Sequence, residues 1–197
     1  MSAGRVLAFR PRAEVPVALS DEALIAACAT GDEAGLALLF ERHSRVVYRY
    51  LSRMVSDDPG EVDDLAQTVF IEVWRSSGKF HQRSSARVWL FGIAHNVART
   101  ALRTRRRRHA AIDRLAAQPE PRARGVDEQL ADRAFVGELA EALSHLSEGQ
   151  RGAFVLCELE ELTGVEAARV LDARPGTVGR WLSEARQILR AHLEDPR

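Results

Sequence analysis

Apolar residues recur at spacings of three and four along most of the chain, and no convincing alternating pattern of a β-strand appears. Residues at such spacings share one side of an α-helix. Ser20 and Asp21 suit the N-cap of a first short helix, which Gly31 ends, and Asp32 suits the N-cap of a second. The pattern therefore predicts an all-α protein.

Three longer helices follow the same pattern in the first half of the chain. The second helix is predicted to bury one face and to end before the Asp57–Gly60 turn; its apolar residues are Leu36, Leu39, Phe40, Val47, Tyr50, Leu51 and Met54. The third is predicted to bury Val62, Leu65, Ala66, Val69, Phe70, Val73 and Trp74. The fourth runs from about 85 to 108, with Trp89 in the core and with His95 and Asn96 on its polar side.

The chain divides into two helical domains. Charges and prolines run through residues 1–19, which predicts a disordered tail, and Pro119, Pro121 and Gly125 mark residues 110–127 as a flexible linker. The predicted domains are residues 20–109 and 128–197, and the second includes an acidic helix, a helix through Phe154 and Leu159, and two closing helices.

Charge is strongly polarised along the chain, although 28 basic residues balance 28 acidic ones. Ten basic residues and no acid lie between Arg75 and Arg108, whereas the range from Asp127 to Asp172 contains eleven acids and only three arginines. The basic stretch predicts contacts with nucleic acid. The acidic stretch is either a contact surface for a protein partner or a solvated face.

Several classes of protein are disfavoured. No segment approaches the roughly 20 apolar residues of a membrane span or the apolar run of a signal peptide, which predicts a cytoplasmic protein. Cys28 and Cys157 lack the spacing of a zinc site, and no catalytic cluster or glycine-rich phosphate loop appears. We therefore expect no cofactor, no metal and no enzymatic activity.

The last segment has the pattern of a helix-turn-helix between Leu162 and Arg186. Small Ala167 and Ala168 allow a close helix crossing, and Pro175 suits the first turn of the second helix. Such a helix enters the major groove of DNA with its N-terminal part near the base edges. The residues predicted to contact DNA here are Arg174, Thr177, Arg180, Ser183 and Gln187, with Arg180 foremost.

Four segments, in this order and spacing, resemble the extracytoplasmic-function sigma factors of the sigma-70 type. Residues 64–74 (DLAQTVFIEVW) are similar to the polymerase-binding helix of that family, and residues 88–98 (VWLFGIAHNVA) to its promoter-melting segment. Residues 146–151 (LSEGQR) are similar to the opening of its last domain, and residues 176–178 (GTV) to the start of its recognition helix.

The resemblance implies a transcription initiation factor in which residues 20–109 are region 2 and residues 128–197 are region 4. The third helix would bind the clamp of core RNA polymerase through Asp63, Asp64, Gln67, Thr68, Glu72 and Arg75. The basic helix and its preceding loop would capture and melt the −10 element through Lys79, Arg83, Arg87, Asn96, Arg99, Arg103, Arg106 and Arg107. The helix-turn-helix would read the −35 element. The flap region of polymerase and an inhibitory anti-sigma protein are the other implied partners.

Some residues depart from the family pattern. Thr68 and Thr100 stand where acids are common, and Asp172 stands at the usual turn glycine. In the recognition helix, Gly179 and Trp181 replace commonly basic residues, and Glu184 places an acid on the predicted DNA side. These departures put the −35 contacts in question.

Two other functions compete with this interpretation. A helix-turn-helix regulator that acts without polymerase explains residues 146–193 but leaves the first domain without a role. A sigma-like decoy that binds proteins but not promoters fits the departures at Gly179 and Glu184.

Overall fold

The computed structural model describes residues 19–55, 59–81, 84–115, 139 and 141–194. Within these ranges the regular elements are all helical, as the sequence predicts. They are α1 (Asp21–Ala29), α2 (Glu33–Met54), α3 (Pro59–Ser76), a 3₁₀ turn (Ser77–Lys79), α4 (Ala86–Leu115), α5 (Glu148–Phe154), α6 (Gly164–Val170) and α7 (Pro175–Glu194). No helix in these ranges is long and apolar enough to cross a bilayer.

Helices α1 to α4 form the first domain around one aliphatic core. Val47, Tyr50 and Leu51 of α2 are fully buried, and the ring of Phe91 on α4 meets Tyr50 edge-on at 5.3 Å. Each such side chain contributes about 1.5–3 kcal/mol through the apolar surface it removes from water. This core fixes α3 and α4 side by side, so that their outer faces form adjacent surfaces.

The start of α4 is capped from two directions. The Ser85 hydroxyl accepts a hydrogen bond from the Val88 amide at 3.3 Å, and the Glu22 carboxylate of α1 accepts one from the Ala86 amide at 3.2 Å. Both bonds satisfy amides that have no partner within the helix. The helix then continues to Leu115, beyond the predicted end near residue 108.

Two details of the predicted burial pattern are wrong. Phe40 is 48% exposed, because its ring lies edge-on against Phe70 at the surface of the domain. His95 is only 4% exposed instead of lying on a polar side, and its Nδ1 lies 3.0 Å from the Tyr50 hydroxyl. Trp89 is half-buried, with its ring 5.2 Å from that of Phe80.

The second domain comprises a helical turn at residues 141–144 and helices α5 to α7. Capping boxes begin α5, through Ser147 and Gln150, and α6, through Thr163 and Glu166. After α5 the chain widens into a π-helical turn, Val155–Leu159, and Glu160 follows it. The tight turn between α6 and α7 places Asp172 at φ +49°, which confirms that this residue takes the left-handed conformation of the usual glycine.

The two domains lie against each other, with α6 beside α4 and α5 beside α2. At this interface the Arg151 guanidinium donates to the Met54 carbonyl at 3.1 Å and to the Leu143 carbonyl at 2.9 Å. Two helical domains with a helix-turn-helix in the second confirm the predicted fold class. The predicted tail, residues 1–19, falls almost wholly outside the described residues, and so does most of the predicted linker.

Candidate nucleic-acid and polymerase interface

The outer face of α3 carries the residues that were predicted to bind polymerase. Asp63, Asp64, Gln67 and Thr68 are exposed, and the Thr68 hydroxyl donates to the Asp64 carbonyl at 2.8 Å. Further along, Arg75 donates to Glu72 at 2.9 Å in an exposed ion pair. The helix therefore presents a continuous polar face with both charge signs.

A groove of about 1090 Å³ separates this face from α4. Its α3 wall contains Asp64, Thr68 and Glu72, and its α4 wall contains Asn96 and Arg105 among other residues. The groove thus places Asn96, which was predicted to contact DNA, opposite residues that were predicted to contact polymerase. Thr100 on the same wall donates its hydroxyl to the backbone carbonyl of Asn96 at 2.8 Å, and both residues line the groove.

The predicted −10 residues do not form one uniform surface. Lys79, Asn96, Arg103 and Arg107 are exposed, and Arg99 is half-buried. Arg83 lies outside the described residues. Arg87 and Arg106 are also exposed, and in addition each lies within ion-pair distance of an acidic residue of the second domain.

Arg87 belongs to a cluster around Glu160. The Glu160 side chain is completely buried, and its two carboxylate oxygens accept hydrogen bonds from Arg49 at 3.1 and 3.3 Å and from Arg53 at 2.9 Å. Arg87 donates to the Glu160 carbonyl at 2.7 Å, with the same nitrogen 3.7 Å from the carboxylate. Three guanidinium groups of the first domain therefore surround one carboxylate of the second.

Electrostatics at this cluster follow from its burial. Desolvation lowers the pKa of the Arg53 guanidinium, and the negative charge of Glu160 opposes that shift. Arginine keeps its proton at neutral pH even so. A buried carboxylate with charge-assisted hydrogen bonds on both oxygens is compensated, whereas the same group without its partners would be strongly unfavourable.

A second ion pair crosses the same interface. Arg106 lies 3.3 Å from Glu148, the first residue of α5. Glu148 and Glu160 both belong to the acidic stretch between Asp127 and Asp172, for which a partner surface and a solvated face were the two interpretations. For these two residues the contact is with the protein's own first domain.

The outward side of α7 holds the predicted −35 residues. Arg174, Arg180, Ser183 and Gln187 are exposed, and Thr177 is half-buried in the first turn. The side chain of Arg180 is 69% exposed, and its Nε lies 3.7 Å from Glu184 one turn later. The recognition helix therefore presents an accessible polar face.

Two departures from the family pattern have structural reasons. The Trp181 ring packs over α5, so close that a Cβ on Gly149 would lie 2.8 Å from it. Glu184 accepts a hydrogen bond from the Gln150 side chain at 2.9 Å, which directs its carboxylate toward α5. Both residues therefore join α7 to α5.

Sequence reasoning missed four residues at these surfaces. Ile71 is 49% exposed within the polar face of α3, although the apolar pattern gave no reason to set it apart. Arg49, Arg53 and Glu160 form the interdomain cluster, and no local signal distinguishes them from other charged residues on helices. Only the arrangement of the two domains identifies them.

Comparison with known proteins agrees with this architecture. Residues 39–108 match the family model for Sigma-70 region 2, and residues 137–189 match that for Sigma-70, region 4. The ECF RNA polymerase sigma factor SigC of Mycobacterium tuberculosis is 30% identical over 182 residues, which cover 90% of this chain and 95% of that protein. The ECF RNA polymerase sigma-E factor of Escherichia coli is 29% identical over 184 residues, 87% of this chain and 93% of that one.

Two solved structures share the fold. CnrH in complex with the cytosolic domain of CnrY matches with a TM-score of 0.67 and 25% identity, over 88% of this chain and 97% of that one. The sigma factor RpoE of Bartonella quintana, in complex with the anti-sigma factor NepR, matches in fold with a TM-score of 0.64 and 22% identity, over 82% of this chain and 98% of that one. The chain therefore belongs to the extracytoplasmic-function family of RNA polymerase sigma factors, which bind core polymerase and direct promoter-specific initiation of transcription.

Proposed function

We propose that the three surfaces divide the work of initiation: α3 binds the polymerase clamp, α4 captures the −10 element, and α7 reads the −35 element. The observation that carries the proposal is the separation of these surfaces on three helices, each exposed on its outer side. A factor that must hold polymerase and two promoter elements at once needs such separate faces. The domain limits 20–109 and 128–197 are part of this proposal.

The clamp contact combines polar and apolar groups. Asp64 and Gln67 supply exposed polar groups on α3, and Ile71 supplies apolar surface one turn further along the same helix. Interfaces generally bury an apolar centre within a polar rim. We assign Ile71 to that centre and Asp63, Asp64, Gln67, Thr68, Glu72 and Arg75 to the rim.

The −10 contact rests on the arginine side of α4. Arg103 and Arg107 lie one turn apart and are both exposed, which suits two phosphates of one strand. Asn96 presents its amide within the groove beside α3, where a base that has left the stack finds hydrogen-bonding partners. Lys79, which is exposed, extends the basic surface toward the loop before α4, and Arg83 remains a proposed contact from the sequence alone.

The −35 contact rests on Arg180, Ser183 and Gln187 of α7, supported by Arg174 and Thr177 at its start. Because Trp181 packs on α5, this departure does not face the DNA side directly. Glu184 bonds to Gln150 through one carboxylate oxygen and lies 3.7 Å from Arg180 through the other, so it partly offsets the charge of that arginine. The remaining departure, Gly179, lies on that side and removes a side chain where the family often has a basic one. We expect a −35 contact with fewer charges than is usual.

An inhibitory anti-sigma protein is the further partner we propose, together with the polymerase flap. CnrH, which this chain resembles over both domains, was solved in complex with the cytosolic domain of CnrY. Sigma factors are non-enzymatic, and we assign no bond chemistry, cofactor or metal to this chain. Its place of action is the cytoplasm, where polymerase and promoter DNA meet.

The test is transcription by core RNA polymerase with the purified protein and a library of promoter fragments. Start points that share a −10 and a −35 motif are the expected result. Asp64→Ala with Gln67→Ala should weaken polymerase binding, and adding Ile71→Ala should weaken it further. The matched control is Glu141→Ala with Ser144→Ala, which changes an acid and a neutral polar residue at the same spacing on an exposed helical turn of the second domain.

Three outcomes separate the competing functions. Initiation that survives loss of the α3 residues would contradict the clamp assignment. Polymerase binding without initiation would favour the decoy. If the protein binds DNA through α7 but does not bind polymerase, the remaining interpretation is a helix-turn-helix regulator.

A further inference from the structure

The cluster around Glu160 has the composition of an anion-binding site of the first domain. Arg49 and Arg53 come from neighbouring turns of α2, and Arg87 comes from the first turn of α4. Their guanidinium groups converge on one carboxylate group, with Arg49 reaching both oxygens. Guanidinium groups in this geometry bind carboxylate and phosphate oxygens alike.

The occupant comes from the other domain. Glu160 follows the π-helical turn Val155–Leu159, which displaces the chain from the path of α5, and its side chain has no exposed surface. Such π-helical turns are frequent at functional sites. Arg49 and Arg87 keep about half of their side-chain surface exposed around the carboxylate, so the site opens to solvent at its edge.

We propose that Arg49, Arg53 and Arg87 form a phosphate-binding site for promoter DNA, which Glu160 occupies as an internal competitor while the two domains are docked. The inference rests on the proposed role of α4, because Arg87 belongs to the basic stretch that is assigned to the −10 element. Three converging guanidinium groups repel one another and therefore favour an anion between them in either state. Separation of the domains exchanges the carboxylate for a DNA phosphate.

Other contacts between the two domains also favour their docked arrangement. Arg106, a second predicted DNA contact, is paired with Glu148 at 3.3 Å, and Arg151 holds the Met54 carbonyl at the end of α2. The second domain thus places carboxylates beside two arginines of the proposed −10 surface. When a binding-competent form is only a fraction of the population, apparent affinity falls by that fraction.

The experiment uses the full chain without polymerase and two measurements. Small-angle X-ray scattering gives the radius of gyration, and fluorescence anisotropy gives affinity for a mixed-sequence single-stranded DNA oligonucleotide. Glu160→Gln should raise the radius of gyration and tighten DNA binding by about tenfold. Glu161→Gln makes the same change of net charge at the exposed neighbouring residue, and should leave the radius unchanged and DNA affinity within about twofold.

A double-mutant cycle isolates the site. Arg49→Ala with Arg53→Ala should raise the radius of gyration, and it should remove the gain in DNA affinity that Glu160→Gln gives in the native background. If circular dichroism shows that Glu160→Gln is unfolded, the variant with Arg49→Ala and Arg53→Ala still tests whether the cluster holds the two domains together. The two arginine side chains are partly exposed, so their removal leaves the domain cores intact.

The outcomes distinguish this inference from the proposed function. If the radius of gyration is unchanged in both variants, Glu160 does not act as an internal competitor that holds the domains together, whether or not the protein binds polymerase. A larger radius without tighter DNA binding would overturn the phosphate site and leave a purely structural contact. If promoter-specific transcription fails while the DNA gain is observed, the assignment of the three surfaces is wrong and the anion site stands.

Discussion

The two helices assigned to DNA, α4 and α7, differ in what surrounds their arginines. On α4, Arg87 and Arg106 are paired with Glu160 and Glu148 from the other domain. On α7, the partner of Arg180 is Glu184 of the same helix. Ion pairing at the first surface depends on how the domains are arranged, whereas ion pairing at the second is set within one helix.

This difference follows from local geometry. Because α4 lies between the core of its own domain and α6, Arg87 near its start and Arg106 near its end come within reach of carboxylates of the second domain. Helix α7 packs its apolar side on α5 and turns the opposite side to solvent, with Val178 and Ala185 buried. A single closed arrangement therefore pairs two arginines of one DNA-binding surface with carboxylates of the other domain, and leaves the α7 surface without such interdomain partners among the ion pairs of the described residues.

The largest expected effect comes from the uncovered part of α4. Arg103→Ala with Arg107→Ala should weaken promoter binding by the polymerase complex by about 3 kcal/mol, since charge-assisted hydrogen bonds are worth about 1.5–3 kcal/mol each. The plot of log affinity against log salt concentration should become shallower by about two units of slope, because each phosphate that the protein no longer neutralises accounts for roughly 0.9. Filter binding over a range of salt concentrations measures both.

A matched control for that pair lies on α2. Arg42→Ala with Arg45→Ala removes two arginines of the same domain, and the Arg42–Asp21 ion pair that it breaks is of a kind that contributes at most about 1 kcal/mol. The control should leave the salt slope unchanged. An equal decrease of slope in both pairs would mean that net charge, not the α4 surface, governs binding.

A second prediction tests whether Trp181 of α7 packs on α5 or is available to DNA. Gly149→Ala places a methyl group 2.8 Å from the Trp181 ring and should destabilise the second domain by about 2 kcal/mol, the typical effect of overpacking. Gly176→Ala, at the start of α7, meets no atom within 4 Å and serves as the control. Urea unfolding measures both. Equal midpoints would show that Trp181 is not held against α5 and is available to DNA.

A smaller effect depends on pH and concerns His95, which α4 buries at the interface between the two domains. Burial lowers the pKa of His95, although the carboxylate of Glu148 opposes the shift and Arg99 adds to it. The unfolded chain therefore binds a proton at a higher pH than the folded chain does, so the free energy of unfolding falls as pH drops below about 6.5. Unfolding midpoints at neutral and mildly acidic pH should show this decrease.

The control for the pH effect is a change of residue. His95→Gln removes the titrating group and should flatten this part of the pH dependence, whereas His43→Gln, at a histidine paired with Asp21, should leave it in place. A dependence that persists in His95→Gln would assign it to other groups.

Much of the fold could be predicted from local signals. The spacing of Val47, Leu51 and Met54 marks a buried helical face, and all three are buried. Pro175 marks the start of α7, and Asp172 marks the tight turn before it. These features depend on residues within a few positions of one another, so the sequence contains the whole signal.

The interdomain contacts could not be predicted in this way. Glu160 is one of eleven acids in its stretch, and only the approach of α2 and α4 separates it from the others. His95 lies on the buried side because α4 is covered by the second domain as well as by its own: a Cβ on Gly152 would lie 3.9 Å from the His95 ring. Neither residue differs in local pattern from a solvated one.

The smallest predicted effect concerns Gly179, the departure that lies on the DNA side of α7. Gly179→Ala meets no atom within 4 Å and should stabilise the helix by about 0.5–1 kcal/mol, because alanine loses less backbone entropy than glycine on folding. Gly179→Arg should also add one phosphate contact, raising the salt slope of promoter binding by about 0.9 relative to Gly179→Ala. Comparing these two variants separates helix stability from charge. A steeper salt dependence in Gly179→Arg would make DNA binding by α7 more like binding by the arginine-rich α4 surface. Equal slopes would show that position 179 does not reach the DNA backbone.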